Sequence, residues 1–360
     1  MRRVRLYTNV SLECIRRHFA TAAKFHCCNS NQTIARNEAF SEKTKQNGLK
    51  AEKNIVRSSS LRREVYEELI NVEKVAGIKW RRFPAITKLL KGHRRSELTV
   101  FTGNTGSGKT TFLSEYSLDL CTQGVRTLWG NFELKNVRLM KLMLNQFAQL
   151  PLNKHIEQFD EYADKFEKLP MFFMKFHGEQ SFDYVVDTMK YAVENYNIEH
   201  VIIDNLQFMI GNTRISKIDR FEYQDMVIGN CRKFATNNNC HVTLVIHPRK
   251  ETTEELNINS IFGGGKASQE ADNVLILQTK WSTNFKFQKY IHVCKNRYDG
   301  DLGLIPISYS KETHGFGVNL RSKKGPNLPK ANETIIKFDL NDKQSDVESE
   351  NEVTVRTALN

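Results

Sequence analysis

Short runs of consecutive apolar residues punctuate the middle of the chain, and segments with apolar positions at helical spacing separate them. Leu98 to Phe101, Val125 to Gly130, Met171 to Met174, His200 to Asp204 and His241 to Ile246 read as strands. Asn273 to Leu277 and Tyr290 to Val293 continue the series. Between them, Thr111 to Leu120, Asn136 to Phe147, Phe182 to Asn195 and Arg220 to Asn237 read as helices. Near-continuous apolar strands alternating with helices predict an α/β fold whose mostly parallel sheet is covered on both faces. Little helix separates the last strands, so the sheet is expected to finish antiparallel. No internal repeat is visible.

The flanks have other patterns. From Ser58, Val65, Leu69, Ile70, Val72 and Val75 recur at near-helical spacing after Ser60-Leu61-Arg62-Arg63-Glu64. This predicts a capped amphipathic helix over 58–78 that ends near Gly77. It packs either on its own domain or on a neighbouring subunit. Residues 1–36 hold seven Lys or Arg against the single acid Glu13, with Val4, Leu6, Val10, Leu12, Ile15 and Phe19 interleaved. That composition predicts a mitochondrial transit peptide, the bland alternative being a floppy basic arm. Residues 37–57 read as a disordered linker and 326–360 as a disordered polar-acidic tail. The expected folded domain is 79–325.

Composition changes this picture little. The net charge is +12, but residues 1–60 carry twelve Lys or Arg against four acids, so most of the excess lies before the folded part. The high charge is therefore weak support for nucleic-acid binding by the domain itself. Seven cysteines at 14, 27, 28, 121, 231, 240 and 294 show no CxxC or zinc spacing, and read as reduced thiols. No apolar run reaches the roughly 18 residues of a membrane span.

Chemistry enters at Gly103-Asn104-Thr105-Gly106-Ser107-Gly108-Lys109-Thr110, which fits GxxxxGK[ST] between a strand and a helix. Glycines let backbone N–H groups converge on phosphate oxygens at a helix N-terminus. Lys109 is expected to reach the β- and γ-phosphates of ATP and Thr110 to hold Mg²⁺. Thr111, next along the helix, joins this nucleotide-binding set, as does Gln269. Asp204, closing an apolar strand downstream of the loop, is the expected Mg²⁺ carboxylate. Glu133 follows another strand and either orients the attacking water or complements a helix dipole. His247 ends a further strand, as a γ-phosphate sensor or a hydrogen-bonded strand-end histidine. Arg249 and Lys250 face a nucleic-acid backbone or solvent. The Gly263-Gly264-Gly265-Lys266 run can grip phosphates of an extended strand, a weak signal alone. Lys295 and Arg297 precede a turn, as an arginine finger on a transferring phosphoryl group or as a hairpin charge pair.

Taken in order, these stretches carry a resemblance. Glu97 to Thr110, Thr127 to Glu133, Val201 to Met209, Cys240 to Glu251, Lys266 to Asn273 and Lys295 to Asp301 are similar to the mitochondrial Twinkle group of DnaB-type, RecA-like hexameric ring helicases. The resemblance covers about residues 58–320. It implies a RecA-like P-loop NTPase core and a 5′ to 3′ DNA helicase in mitochondrial DNA replication. Glu133 would be the catalytic base, Asp204 the Mg²⁺ ligand and His247 the γ-phosphate sensor. Lys295 and Arg297 would reach a neighbour's ATP. The loops after Phe208, after His247 and around Gly263 to Lys266 would line a channel for single-stranded DNA. The helix from Ser60 would dock on the adjacent protomer. Implied partners are single-stranded and forked DNA, further copies in a hexamer, and the mitochondrial DNA polymerase and single-stranded-DNA-binding protein. The implied location is the matrix nucleoid. Family members usually carry a primase-like region before the linker helix; fewer than 60 residues stand there in this sequence. Two other functions fit the same core: a regulatory form that binds ATP and longer partners without unwinding, and a RecA-type strand-exchange or annealing ATPase.

Overall fold

The computed structural model describes residues 55–210, 217–249, 255–261, 264–281 and 287–317. The expected transit peptide, nearly all of the linker, the polar-acidic tail, Lys250 and Gly263 lie outside the described residues. The chain divides into two units, Met1–Val72 and Glu73–Asn360.

In the first unit, the described element is a helix over Ser58–Ile70 with no buried residue. It begins two residues before the expected Ser60 cap. Ser60 Oγ instead donates to the Arg57 carbonyl (2.7 Å), and the Arg57 N-cap makes no side-chain cap bond. The helix also stops earlier than expected, at Asn71, whose N–H bonds the Glu67 carbonyl (3.1 Å); a separate short turn of helix follows over Val72–Val75. Leu61, Val65 and Leu69, spaced one helical turn apart, are all exposed.

The second unit is an eight-stranded sheet in the order β3-β2-β4-β5-β1-β6-β7-β8. The strands are β1 (Leu98–Gly103), β2 (Thr127–Asn131), β3 (Met171–Phe173), β4 (His200–Asp204), β5 (His241–Val245), β6 (Asn273–Trp281), β7 (Phe287–Asn296) and β8 (Gly303–Ile307). The first six run parallel, and β6-β7-β8 close the edge antiparallel, as the apolar pattern predicted. Helices Lys109–Cys121 and Asn136–Ala148 bury Phe112, Leu113, Leu139 and Met143 against Phe101, Trp129, Ile202 and Leu275 on one face. Helices Phe182–Tyr196 and Lys217–Asn237 cover Val100, Val201, Ile203 and Leu244 on the other. Alternate strand residues thus feed two separate cores, which is why the strands read as continuous apolar runs.

Several elements were not expected from sequence. Helix Pro84–Leu90 starts with proline at its first position, where the missing N–H costs nothing. Helix Phe159–Glu167 and strand β8 were also unexpected, and the glycine run expected as a loop is helical over Gly264–Glu270.

Candidate nucleotide site

The parallel strands all deliver their C-terminal ends to one edge of the sheet. β1 runs there into the glycine loop, which takes positive φ at Gly106 (74°) and Gly108 (102°), values that L side chains rarely adopt. The ring of Phe316 stands 3.5 Å from where a Cβ on Gly108 would be, an ordinary contact, so the backbone conformation rather than the space favours glycine there. Helix Lys109–Cys121 begins directly afterwards, aiming its N-terminal N–H groups at the loop.

The polar groups of the loop are gathered inward. Lys109, a buried lysine, donates from Nζ to the carbonyls of Gly103 (2.9 Å) and Asn104 (3.2 Å). Burial lowers its affinity for a proton, while the Asp204 and Glu133 carboxylates act in the opposite sense. The Thr110 hydroxyl donates to Asp204 Oδ2 (2.6 Å), and the Asn131 amide lies 3.4 Å from the same oxygen. Asp204 is buried, and desolvation pushes its carboxyl up to about 6; the Thr110 bond opposes the rise and the Glu133 charge adds to it.

Beside Asp204, three neighbouring strand ends are tied together. Asn205 donates from Nδ2 to Glu133 Oε1 and lies 2.9 Å from His247 Nε2, while its Oδ1 accepts from the Gln207 N–H (3.1 Å). Asn205 therefore spans the ends of β2 and β5 from the end of β4. His247 Nε2 also stands 3.4 Å from Glu133 Oε1. Burial lowers the His247 pKa, which keeps the ring neutral and able to accept from Asn205. Asn131 Oδ1 accepts the N–H groups of Glu133 (3.0 Å) and Leu134 (2.7 Å), fixing the turn that presents Glu133. Lys289 on β7 adds a second ammonium to the loop by donating to the Ser107 carbonyl. Asn205, Asn131 and Lys289 had no recognised site role in the sequence.

Of the residues expected at the site, Lys109, Thr110, Glu133, Asp204 and His247 meet at this edge. Gln269 does not, and Lys295 and Arg297, which the resemblance assigns to a neighbour's ATP, stand away from it as well. β7 runs antiparallel to β6, and its end is in register with the first residues of β6, at the opposite edge of the sheet from Gly103. There Lys295 Nζ donates to the carbonyls of Ser268 (2.6 Å) and Gln269 (3.3 Å). Arg297 pairs with Asp272 (3.1 Å) and bonds the Gln269 carbonyl (2.7 Å). Gln269 therefore does not contact the phosphate loop of its own chain. Lys266 pairs with Glu270 (2.8 Å) one helical turn on, and Arg249 is exposed just after the His247 turn.

The residues at the loop fit a magnesium nucleotide. Thr110 and Asp204 offer two oxygen donors within hydrogen-bond reach of each other, the ligand type Mg²⁺ takes. The glycine backbone has room for phosphate oxygens where side chains are missing: a Cβ on Gly106 would meet nothing within 4 Å.

A family model described as AAA domain matches residues 64–253. Among solved structures, one titled as the ATPase domain of another protein aligns with a TM-score of 0.63 at 16% identity, over 74% of this chain and 99% of that one. A second, titled The Structure Of A DnaB-Like Replicative Helicase And Its Interactions With Primase, aligns with a TM-score of 0.62 at 16% identity, over 85% of this chain and 80% of that one. At this identity the likenesses show the fold alone, the α/β architecture with a mostly parallel sheet that the sequence predicted. The family match spans more than half of the sequence and contains both the glycine loop and the Asp204 strand end, so the chain belongs to the AAA domain family.

Proposed function

We propose that this chain is an ATP-hydrolysing DNA helicase of the DnaB type, working on single-stranded DNA as a ring of six copies. The observation that carries this reading is the split placement of its chemistry. Lys109, Thr110, Glu133, Asp204 and His247 gather at one sheet edge, while Lys295 and the exposed Arg297 stand at the other. A phosphate loop whose candidate arginine finger stands at the far edge of the sheet is completed by a neighbouring copy in a head-to-tail ring.

Within that reading, Lys109 and the loop amides bind ATP, and Thr110 and Asp204 hold Mg²⁺, which would neutralise charge on the β- and γ-phosphates. Glu133 orients the attacking water, and the Asn205 amide fixes its carboxylate. His247 passes the state of the γ-phosphate to the segment containing Arg249, which with Lys250, Gly264 and Lys266 contacts the DNA backbone. The direction, 5′ to 3′, the role in mitochondrial DNA replication, the matrix location and the polymerase and single-stranded-DNA-binding partners rest on the Arg-rich first 36 residues and the family resemblance.

The ring would be closed by the Ser58–Ile70 helix of one copy seated on the next. Its Leu61, Val65 and Leu69 stripe suits the apolar groove of about 380 Å³ lined by Val137, Met140, Leu144, Leu152, Ile156 and Phe159. Deleting residues 1–71 is expected to leave a folded monomer, as read by sedimentation; a ring that survives the deletion would remove this helix from assembly.

The shared site is tested by mixing. Glu133→Gln and Arg297→Ala are each expected to abolish unwinding of a forked duplex. A mixture of the two is expected to recover part of the ATP hydrolysis, because some interfaces then pair an intact Glu133 with an intact Arg297. No recovery, from variants shown to co-assemble, would place the arginine's role within its own subunit or outside catalysis.

A further inference from the structure

At the sheet edge opposite the glycine loop, the inward side of the sheet changes character. Phe101, Trp129, Ile202, Val245 and Leu275 form an apolar layer, but two residues earlier the same strands place Thr99, Thr127, His200, Thr243 and Asn273, all buried. His241 lies beside His200 in register, and both are the first residues of their strands. His93 covers them from the segment before β1, with its backbone held to Ile78 in both directions (3.0 and 2.8 Å). The three rings are buried in mutual contact: His93 lies 4.5 Å from His200 and 4.2 Å from His241 between centroids, and His200 lies 5.3 Å from His241.

The hydrogen bonds do not account for the nitrogens gathered there. His241 donates from Nδ1 to the Arg94 carbonyl (2.6 Å), which leaves the Nε2 lone pair facing the Thr99 hydroxyl (2.9 Å). His200 uses Nε2 with the Thr243 hydroxyl (2.9 Å), and its Nδ1 is buried without a partner. His93 has neither ring nitrogen partnered. Buried polar atoms left unpaired are costly, and a neutral imidazole has one lone pair and one N–H, so a metal here would take one lone pair from each of these two touching rings.

We propose that His93, His200 and His241 form a binding site for a first-row divalent metal of the zinc class, distinct from the Mg²⁺ site at the phosphate loop. One ligand nitrogen from each residue lies within 4.8 Å of the other two. Two nitrogens on one zinc stand about 3.4 Å apart, given Zn–N bonds of about 2.0–2.1 Å, so the set closes by ring rotations in which His241 Nε2 exchanges the Thr99 hydroxyl for the metal. The surroundings match a histidine–metal site. The Arg94 carbonyl fixes the His241 tautomer from behind, and the Thr243 hydroxyl holds His200 by Nε2, leaving its Nδ1 turned to the other rings. Neutral nitrogen donors select zinc-like ions over Mg²⁺. Bound there, the metal would pin the segment before β1 to the starts of β4 and β5, and contribute to stability only in the folded chain.

The rival occupant is a buried water, and His93→Phe separates the two. Phenylalanine keeps the ring and its edge contact with Trp80 but removes both unpaired nitrogens. The full chain, in excess Mg²⁺ and after dialysis against a mild chelator, is expected to retain roughly one Zn²⁺ per chain, with imidazole nitrogens at about 2.0–2.1 Å by X-ray absorption. Its melting temperature is expected to fall when a strong chelator strips the metal and to return with Zn²⁺. His93→Phe is expected to lose the Zn²⁺ and this response together. The proposal is overturned by a wild-type chain that holds no stoichiometric zinc, by a zinc that His93→Phe retains, or by a His93→Phe chain that melts at or above the zinc-loaded wild type. Should that variant not fold, the absorption spectrum of the wild-type chain decides alone, because a shell of oxygens, or one lacking three imidazoles, also overturns it.

Discussion

Glu133→Gln is expected to reduce ATP hydrolysis by about 10²–10⁴-fold, the range of a positioned general base, with nucleotide binding little changed. The wild-type chain is expected to hydrolyse ATP faster when single-stranded DNA is added, and the variant to ignore the DNA. Geometry separates the two effects. Glu133 is held by Asn131 through the backbone of its turn and by Asn205 through its carboxylate, so glutamine can occupy the same position and make much the same contacts. What glutamine lacks is the charge that takes a proton from water. In the proposed function binding rests on the glycine loop and Lys109, which the substitution leaves alone. An isothermal titration with ATP beside a steady-state assay distinguishes the outcomes. Weak binding by the variant would mean that Glu133 shapes the loop, and unimpaired turnover would mean that another group activates water. Hydrolysis by the wild type that is indifferent to DNA would remove the motor reading and leave an ATPase with some other output.

The reactive edge was legible in the sequence because each of its groups terminates an apolar strand. Lys109, Glu133, Asp204 and His247 all follow runs whose burial is unambiguous, and parallel strands bring their C-terminal ends to the same side. The links between those groups were not legible. Asn205 matters because β4 lies between β2 and β5, an order that hydrophobic patterning does not encode. Lys289 reaches the loop only because the antiparallel β7 starts from the same edge, far along the sequence from Ser107. The three histidines were hidden for a similar reason: His200 and His241 look like ordinary strand starts, and His93 sits in an irregular segment. Among the elements, β8 escaped notice because it is an edge strand of alternating burial that contains Pro306, at odds with the continuous runs elsewhere. Helix Gly264–Glu270 escaped because its glycines favour a loop locally, whereas its packing beside helix Lys217–Asn237 decides otherwise.

Asp204→Asn is expected to abolish Mg²⁺-dependent hydrolysis and, in the nucleotide-free chain at pH 8, to raise the melting temperature. The two effects have one cause. Asp204 is buried, and desolvation together with the Glu133 charge lifts its carboxyl from 3.8 to about 6. An acid whose folded pKa lies above its unfolded one is harder to ionise in the folded state. Above pH 6 the residue is ionised in both states and the fold carries the full penalty, about 3 kcal/mol from a shift of about two units at 1.36 kcal/mol each. Between about pH 6 and 4 the penalty shrinks as the folded carboxyl takes up its proton. Below pH 4 both states are protonated and the penalty is gone. Asparagine removes the charge but keeps an oxygen to accept from Thr110, so the variant's advantage should be several degrees at pH 8 and vanish near pH 4. Mg²⁺ with nucleotide should reverse the order, because a cation at Thr110 and Asp204 favours the ionised carboxylate and stabilises only the wild type. Thermal melts of both proteins across this pH range, with and without Mg²⁺ and a non-hydrolysed ATP analogue, test each step. A variant less stable than wild type at pH 8 would mean that the Thr110 and Lys109 contacts outweigh desolvation. A variant equally stabilised by the magnesium nucleotide would mean that Asp204 is not a metal ligand. The expected pattern would make the instability at this strand end the cost of a carboxylate kept dry for its metal.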